Sequence, residues 1–299
     1  MCSLGRCAAA ATPASPKFPF VPGYDAVGTV SALGPGVDAA LLGRRVAAIT
    51  KTGGWATHLV VAAADLTAVP EGVDPAEAET IVVNGVTAWQ MLHRTAKVKP
   101  GQTILVHGAN GGVGTTLVQL ALHHGVRVIG TASPRHHEAL RELGVIPVDY
   151  NDPDLGARVR ELAPNGVDAV FDHLGGESLR VSWKLLAPHG TLVSYAIAAV
   201  VAGTGSMLAP FMANLSRVLW WNVAPNGRSS YFYNLWAGHL VRPAAFRART
   251  REDLTAVLEL LAVGVLTAKI TARMPLTEVR AAMELAESRT VYGKVVLIP

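Results

Sequence analysis

A strand, a glycine-rich turn and a helix follow one another without a break between Thr103 and Gly125, and few folds accommodate that succession. Thr103 to His107 is a short run of β character. Gly108-Ala-Asn-Gly111-Gly112-Val-Gly114 comes next, and Thr116, Leu117, Leu120 and Ala121 then recur at helical spacing up to a stop at Gly125. A second strand opens at Arg127. Gly108 lets the chain leave the strand sharply. Gly111 and Gly112 put no Cβ in the way of an approaching group, and Gly114 lets the helix lie close to the sheet. The free N–H groups and partial positive charge at the helix start favour an anion. The spacing is G-x-x-G-x-x-G, not the commoner G-x-G-x-x-G. Because it lies inside a complete βαβ unit, it implies a dinucleotide pyrophosphate site; a purely structural turn is the alternative.

The second strand selects between dinucleotides. An NAD site places Asp or Glu roughly 20 residues beyond the loop, where it holds the ribose 2′-hydroxyl. Here the strand ends in Thr131-Ala-Ser133-Pro-Arg135-His-His, and no acid appears before Glu138. Ser133 can hydrogen-bond a 2′-phosphate and Arg135 can pair with it, which points to NADPH over NADH. A solvated Arg at a helix start is the alternative.

From Pro100 onward, strands and helices alternate: strands at Val145–Tyr150, Asp168–Asp172 and Thr191–Tyr195, helices at Arg135–Leu143, Asp152–Leu162 and Gly176–Leu186. Such alternation implies an α/β fold with a doubly wound parallel sheet of Rossmann type. Ligands then lie beyond the carboxyl ends of the strands, so Gly108, Ser133, His173, Leu174, Ser194 and Tyr195 should line one crevice. The preceding region differs. Short runs at Arg45–Ile49 and Thr57–Val61, with Gly53-Gly54 between them, read as strands of a small β-barrel. Asp74-Pro75-Ala-Glu77 starts a helix, and a further helix is expected over Gly85–Thr95. Near the end, an amphipathic helix is expected over Arg251–Val263, then a strand, a helix and a final strand. With 299 residues, 50% of them hydrophobic, the chain can build more than one core. The expected division is 1–88, 89–250 and 251–299, the last part returning to the first domain.

Several classes are excluded. The net charge of +4 is mild, and no Lys/Arg run interleaves with aromatics, so no nucleic-acid partner is expected. Two cysteines, Cys2 and Cys7, cannot form a four-ligand zinc site or a disulfide framework, which suits a cytoplasmic protein. The pairs His123-His124 and His136-His137 read as surface or cap residues. Leu185–Ser216 carries no charged residue, but Pro188, Gly190, Gly203, Gly205 and Pro210 interrupt it, so no transmembrane span is expected. Residues 196–249 break the alternation and gather Phe211, Trp220, Trp221, Tyr231, Phe232, Tyr233 and Trp236, densest near 203–246. Two readings stand: a lid or wall for an apolar substrate, or a subunit interface or local core.

The segments PFVPGYDAVGTV, HGANGGVG, VFDHLGG and ESRTVYGKVVLIP, in that order, resemble the zinc-independent quinone oxidoreductases of the medium-chain dehydrogenase/reductase superfamily. The resemblance covers nearly the whole chain after Lys17. It implies a GroES-like catalytic domain beside the Rossmann domain, and NADPH-dependent reduction of a quinone or an α,β-unsaturated carbonyl, with a homodimer as a family expectation. Zinc relatives carry Gly-His-Glu where this chain has Gly23-Tyr24-Asp25, so no metal is expected. Position by position, Gly108, Asn110, Gly111, Gly112, Val113 and Gly114 match the pyrophosphate loop. Ser133, Arg135 and Tyr150 match positions around the 2′-phosphate, and Arg289 matches an Arg that reaches it from the tail. Thr87, Ser194 and Tyr195 match positions near the nicotinamide, and Tyr24 is a candidate donor to the substrate oxygen. Family members begin with further strands and an Asn-containing segment, so the start at Met1 implies an incomplete barrel or a misassigned start codon. That departure favours a second reading, an NADPH-binding protein with little or no catalysis that acts as a sensor or partner subunit; a third reading is a membrane-surface protein of the related vesicle-protein branch.

Overall fold

The computed structural model describes residues 19–195, 208–223, 225–288 and 293–299; Cys2, Cys7, Met207 and Arg289 lie outside the described residues. The chain divides into two compact units, one of Ala88–Leu235 and one of Pro16–Thr87 with Trp236–Pro299.

The second of these begins with β1 (Asp25–Thr29), β2 (Arg45–Ile49) and β3 (Thr67–Ala68), an antiparallel sheet in that order. Its core residues are Val46, Ala47 and Ala48 of β2. Gly53 and Gly54 form a loop against Val21–Gly23, and a Cβ on Gly23 would stand 2.6 Å from the Gly54 Cα. The strand expected over Thr57–Val61 does not form. Leu59 and Val60 face water there, and without a partner strand or a buried face a β-prone sequence has nothing to pair against.

Helix α1 (Pro75–Trp89) starts where Asp74 Oδ1 accepts from the backbone N–H groups of Ala76 and Glu77, both at 3.0 Å. It continues without a break into a wider turn over Gln90–Thr95, so one helix stands where two were expected. Gly85 does not break it. A Cβ there would collide with Val257 Cγ1, so this glycine permits a close helix–helix approach.

The sheet of the other unit runs β4 (Thr103–Val106), α2 (Gly112–His123), β5 (Arg127–Ala132), α3 (His137–Glu142), β6 (Ile146–Asp149), α4 (Leu155–Leu162), β7 (Val167–Asp172), α5 (Glu177–Leu185), β8 (Leu186–Ser194), α6 (Leu208–Trp221) and β9 (Ser229–Phe232). The six strands are parallel in the order β6-β5-β4-β7-β8-β9. The order reverses between β4 and β7, which opens a crevice above their carboxyl ends. Leu105, Ile129, Val170 and Leu192 bury the sheet face, with Leu179 and Leu185 of α5 over it.

The alternation therefore continues where it was expected to break. Ser229–Phe232 is the sixth strand, made so by pairing with β8 rather than by its own composition. Part of the aromatic cluster is local packing: Trp221 stacks on Trp183 at 4.8 Å between ring centres, and Phe211 meets Phe232 edge-on at 5.5 Å. At the sheet edge the Asn222 amide takes both backbone groups of Ser230, accepting from its N–H and donating to its C=O, each at 2.7 Å. His136 is buried, not a surface residue; its Nε2 accepts from Arg135 Nε at 3.1 Å.

The chain returns to the first-described unit with α7 (Pro243–Ala262), β10 (Ile270–Pro275), α8 (Val279–Glu287) and β11 (Lys294–Ile298). Helix α7 starts at a proline eight residues before the expected Arg251, and buries Leu254, Val257, Leu258 and Leu261. Strands β10 and β11 pair in parallel. Lys294 Nζ lies 3.9 Å from Asp25 Oδ2 and 3.8 Å from Glu79 Oε1. Burial pushes the Glu79 carboxyl up to about 7; Lys294 opposes the rise and Asp25 adds to it.

Candidate functional site

The carboxyl ends of β4, β5, β7 and β8 meet at the switch point, and the glycine turn sits on them. Gly108 leaves β4 at φ +64°, a left-handed conformation that a side chain would strain, and a Cβ there would stand 2.5 Å from the His173 ring. The Gly111 N–H donates to the Gly108 carbonyl at 2.9 Å, and Gly111 caps α2. A Cβ on Gly114 would strike the Gly108 carbonyl, so only glycine lets α2 start this close to the loop. Gly111 and Gly112 are exposed, and Asn110 and Val113 are half-buried. The result is a shallow cradle of backbone at the start of a helix, with a favourable field for an anion.

Beneath the cradle lies a buried polar bed. Asp172, fully buried at the end of β7, accepts from the backbone N–H of Leu174 (2.8 Å) and Gly175 (3.0 Å), and from the hydroxyls of Ser178 (2.7 Å) and Ser182 (2.9 Å). His107 Nε2 lies 3.0 Å from Ser182 Oγ, and its Nδ1 lies 3.3 Å from Thr131 Oγ1. Thr131 Oγ1 in turn accepts from the Gly108 N–H at 3.1 Å. Burial lowers the pKa of His107 and of His173, against the opposing pull of Asp172, so both imidazoles favour the neutral form. Burial, with Asp172 adding to it, raises the Tyr195 phenol and keeps its proton on. None of His107, Thr131, Asp172, Ser178 or Ser182 was singled out from the sequence. The available signal was an Asp closing the strand Val167–Asp172 straight after the apolar Ala169, Val170 and Phe171, where an unpaired carboxylate would be costly.

The remaining expected residues fall in three places. Leu174 and His173 follow β7, and Ser194 and Tyr195 close β8; the rings of His173 and Tyr195 lie 5.9 Å apart. His173 Nδ1 and Ser194 Oγ are buried polar atoms without a hydrogen-bond partner among the described residues. Ser133 and Arg135 follow β5, and Tyr150 follows β6 on the neighbouring strand end, with Arg135 and Tyr150 exposed. Tyr24, exposed, and Thr87, buried, belong to the other unit, and Arg289 lies outside the described residues. Among the described residues no group of three or more His, Cys, Asp or Glu could hold a metal ion. Among the same residues no helix is long and apolar enough to cross a membrane.

Comparison with known proteins agrees with this arrangement. Residues 143–297 match the family described as zinc-binding dehydrogenase, and residues 5–71 match the alcohol dehydrogenase GroES-like domain. The chain is 32% identical over 294 residues to the synaptic vesicle membrane protein VAT-1 homolog of Rattus norvegicus, covering 95% of this chain and 70% of the relative. It is 30% identical over 292 residues to a 2-haloacrylate reductase of Burkholderia sp, covering 94% and 81%. It spans between 52% and 70% of the length of the VAT-1 and VAT-1 homolog proteins it matches. Among solved structures it is similar to a mycobacterial protein complexed with NADPH, with a TM-score of 0.79 at 28% identity, covering 96% of this chain and 85% of that one. It is also similar to a quinone oxidoreductase of Pseudomonas syringae pv. Tomato DC3000, with a TM-score of 0.79 at 27% identity, covering 95% and 83%. With a six-stranded parallel sheet, a glycine cradle at its switch point and a segment that matches the GroES-like family, the chain belongs to the medium-chain dehydrogenase/reductase superfamily of oxidoreductases, among its quinone oxidoreductase-like members.

Proposed function

We propose that this protein is an NADPH-dependent oxidoreductase that delivers hydride to a quinone or an α,β-unsaturated carbonyl. The carrying observation is the strand end after β5, where Ser133 and Arg135 stand in place of the acid that an NADH site needs. In this reading the backbone at Gly108, Asn110, Gly111, Gly112, Val113 and Gly114 holds the pyrophosphate, and Ser133, Arg135 and Tyr150, joined by Arg289, hold the 2′-phosphate. His173, Leu174, Ser194 and Tyr195 receive the nicotinamide end, where the Ser194 hydroxyl and His173 Nδ1, without a partner among the described residues, offer hydrogen bonds; the resemblance adds Thr87 to this set. The NADPH complex of the mycobacterial relative supports the cofactor, and the quinone oxidoreductase and haloacrylate reductase relatives support the class of acceptor.

NADPH, when bound, supplies the hydride. The protein's part is to bind, to orient and to stabilise charge that develops on the acceptor's oxygen. Tyr24 is the side chain we assign as donor to that oxygen. No step is routed through zinc, for which the described residues provide no ligand cluster. The test is NADPH consumption by the purified protein with a panel of quinones, enones and enals. We expect oxidation of NADPH with at least one acceptor, and slower oxidation of NADH. Binding of NADPH without consumption would assign a nucleotide-binding protein instead, and failure to bind NADPH would overturn the proposal.

A further inference from the structure

The polar bed under the glycine turn has a direction, which its hydrogen-bond partners fix. Asp172 is surrounded by four donors, two backbone N–H groups and two serine hydroxyls, and accepts from all of them. Ser182 has one proton, and it goes to Asp172. Ser182 Oγ can therefore only accept from His107 Nε2, which must carry a hydrogen. At the other end, Thr131 Oγ1 accepts from the Gly108 N–H. Its own proton is free to point at His107 Nδ1, which accepts if it is bare. The Ser182 contact thus places a hydrogen on Nε2, and an imidazole that burial keeps uncharged has no second one. Nδ1 is then bare and accepts the Thr131 hydroxyl proton, which turns the Thr131 lone pairs toward the Gly108 N–H.

We propose that His107 is a positioning residue for the cofactor loop: Asp172, acting through Ser182, sets its tautomer, and His107, acting through Thr131, holds the Gly108 N–H and the left-handed turn that opens the cradle. This rests on the nucleotide reading of that cradle. The chain of contacts ties α5 and the end of β7 to Gly108, the second residue after β4, across the switch point. It takes the Gly108 N–H out of the set available to phosphate, so the anion is left to the later amides of the turn. The His173 ring, packed where a Gly108 Cβ would be, blocks the turn on its other side.

The test uses the full chain and two substitutions. Thr131→Val keeps the shape and removes both hydrogen bonds; Thr131→Ser keeps both. Three quantities are read: hydrogen exchange of the Gly108 amide, the dissociation constant for NADPH, and the melting temperature of the free protein. We expect Thr131→Val to speed exchange at Gly108 and to weaken NADPH binding by about tenfold, the effect of one buried hydrogen bond. Thr131→Ser should restore both to within about twofold of wild type. Imidazole nitrogen spectra of the wild type should place the His107 hydrogen on Nε2. A folded Thr131→Val protein that binds NADPH as wild type does would overturn the proposal, as would a serine variant that is no better than the valine. A hydrogen found on Nδ1 would overturn it too. Should the wild type bind no NADPH, the cofactor reading fails by itself; exchange at Gly108 and the tautomer then decide whether the relay sets the turn.

Discussion

Arg135 is the residue on which the proposed choice of nucleotide turns. It is exposed, and its Nε is held by the buried His136 at the start of the helical turn after β5. A guanidinium paired with a phosphate contributes about 1.5–3 kcal/mol more than a neutral contact site would leave. We therefore expect Arg135→Ala to weaken NADPH binding by roughly ten- to a hundredfold and to leave NADH binding unchanged. Titration calorimetry with the two nucleotides checks this, and equal losses for both would remove Arg135 from the 2′-phosphate. The three-glycine turn was legible because it needs glycine at fixed places in a βαβ unit; the calorimetry decides whether Ser133 and Arg135, expected from the end of the next strand, do the work proposed for them. His107 and Thr131 were not legible, because their role depends on contacts between residues 23 to 75 positions apart, which no local pattern encodes; Asp172 bonds to residues only 2 to 10 positions on, and went unread because an acid at a strand end does not by itself announce its partners.

Among the elements, β4 to β7 were legible to within a residue or two, since each is a short apolar run between turn signals, whereas β8 starts at Leu186, five residues before the expected Thr191. The errors came where neighbours decide. Thr57–Val61 had the composition of a strand and no partner, whereas Ser229–Phe232 had less of the composition and gained one in β8. Gly85 suggested a break in α1, yet it marks the contact with Val257 on α7. The β-branched Val257 cannot swing aside. Gly85→Ala should therefore destabilise the protein by about 1–3 kcal/mol, and the double variant with Val257→Ala should recover part of that loss. Denaturant melts of the three variants measure it. Additive losses would show that the two positions do not meet.

For the molecule as a whole, Glu79 links stability to pH. Its carboxyl titrates near 7 in the folded chain against 4.5 ordinarily, mainly because it is buried. Between those values the folded state keeps a proton that the unfolded chain has released. The stability this group contributes is complete below about 4.5 and is lost as pH rises through about 7. Glu79→Gln cannot titrate. Its melting temperature relative to wild type should climb across that interval and then level off, with a limit of about 3 kcal/mol. Melting curves taken in steps of pH follow the difference, and a flat or falling difference would contradict the assignment. The outer strand poses a separate question for the molecule. One asparagine side chain, Asn222, already occupies both main-chain groups of Ser230. A stranger's backbone arriving there finds these two docking points taken, and losing that side chain should show first as turbidity in stored protein rather than as a change in turnover.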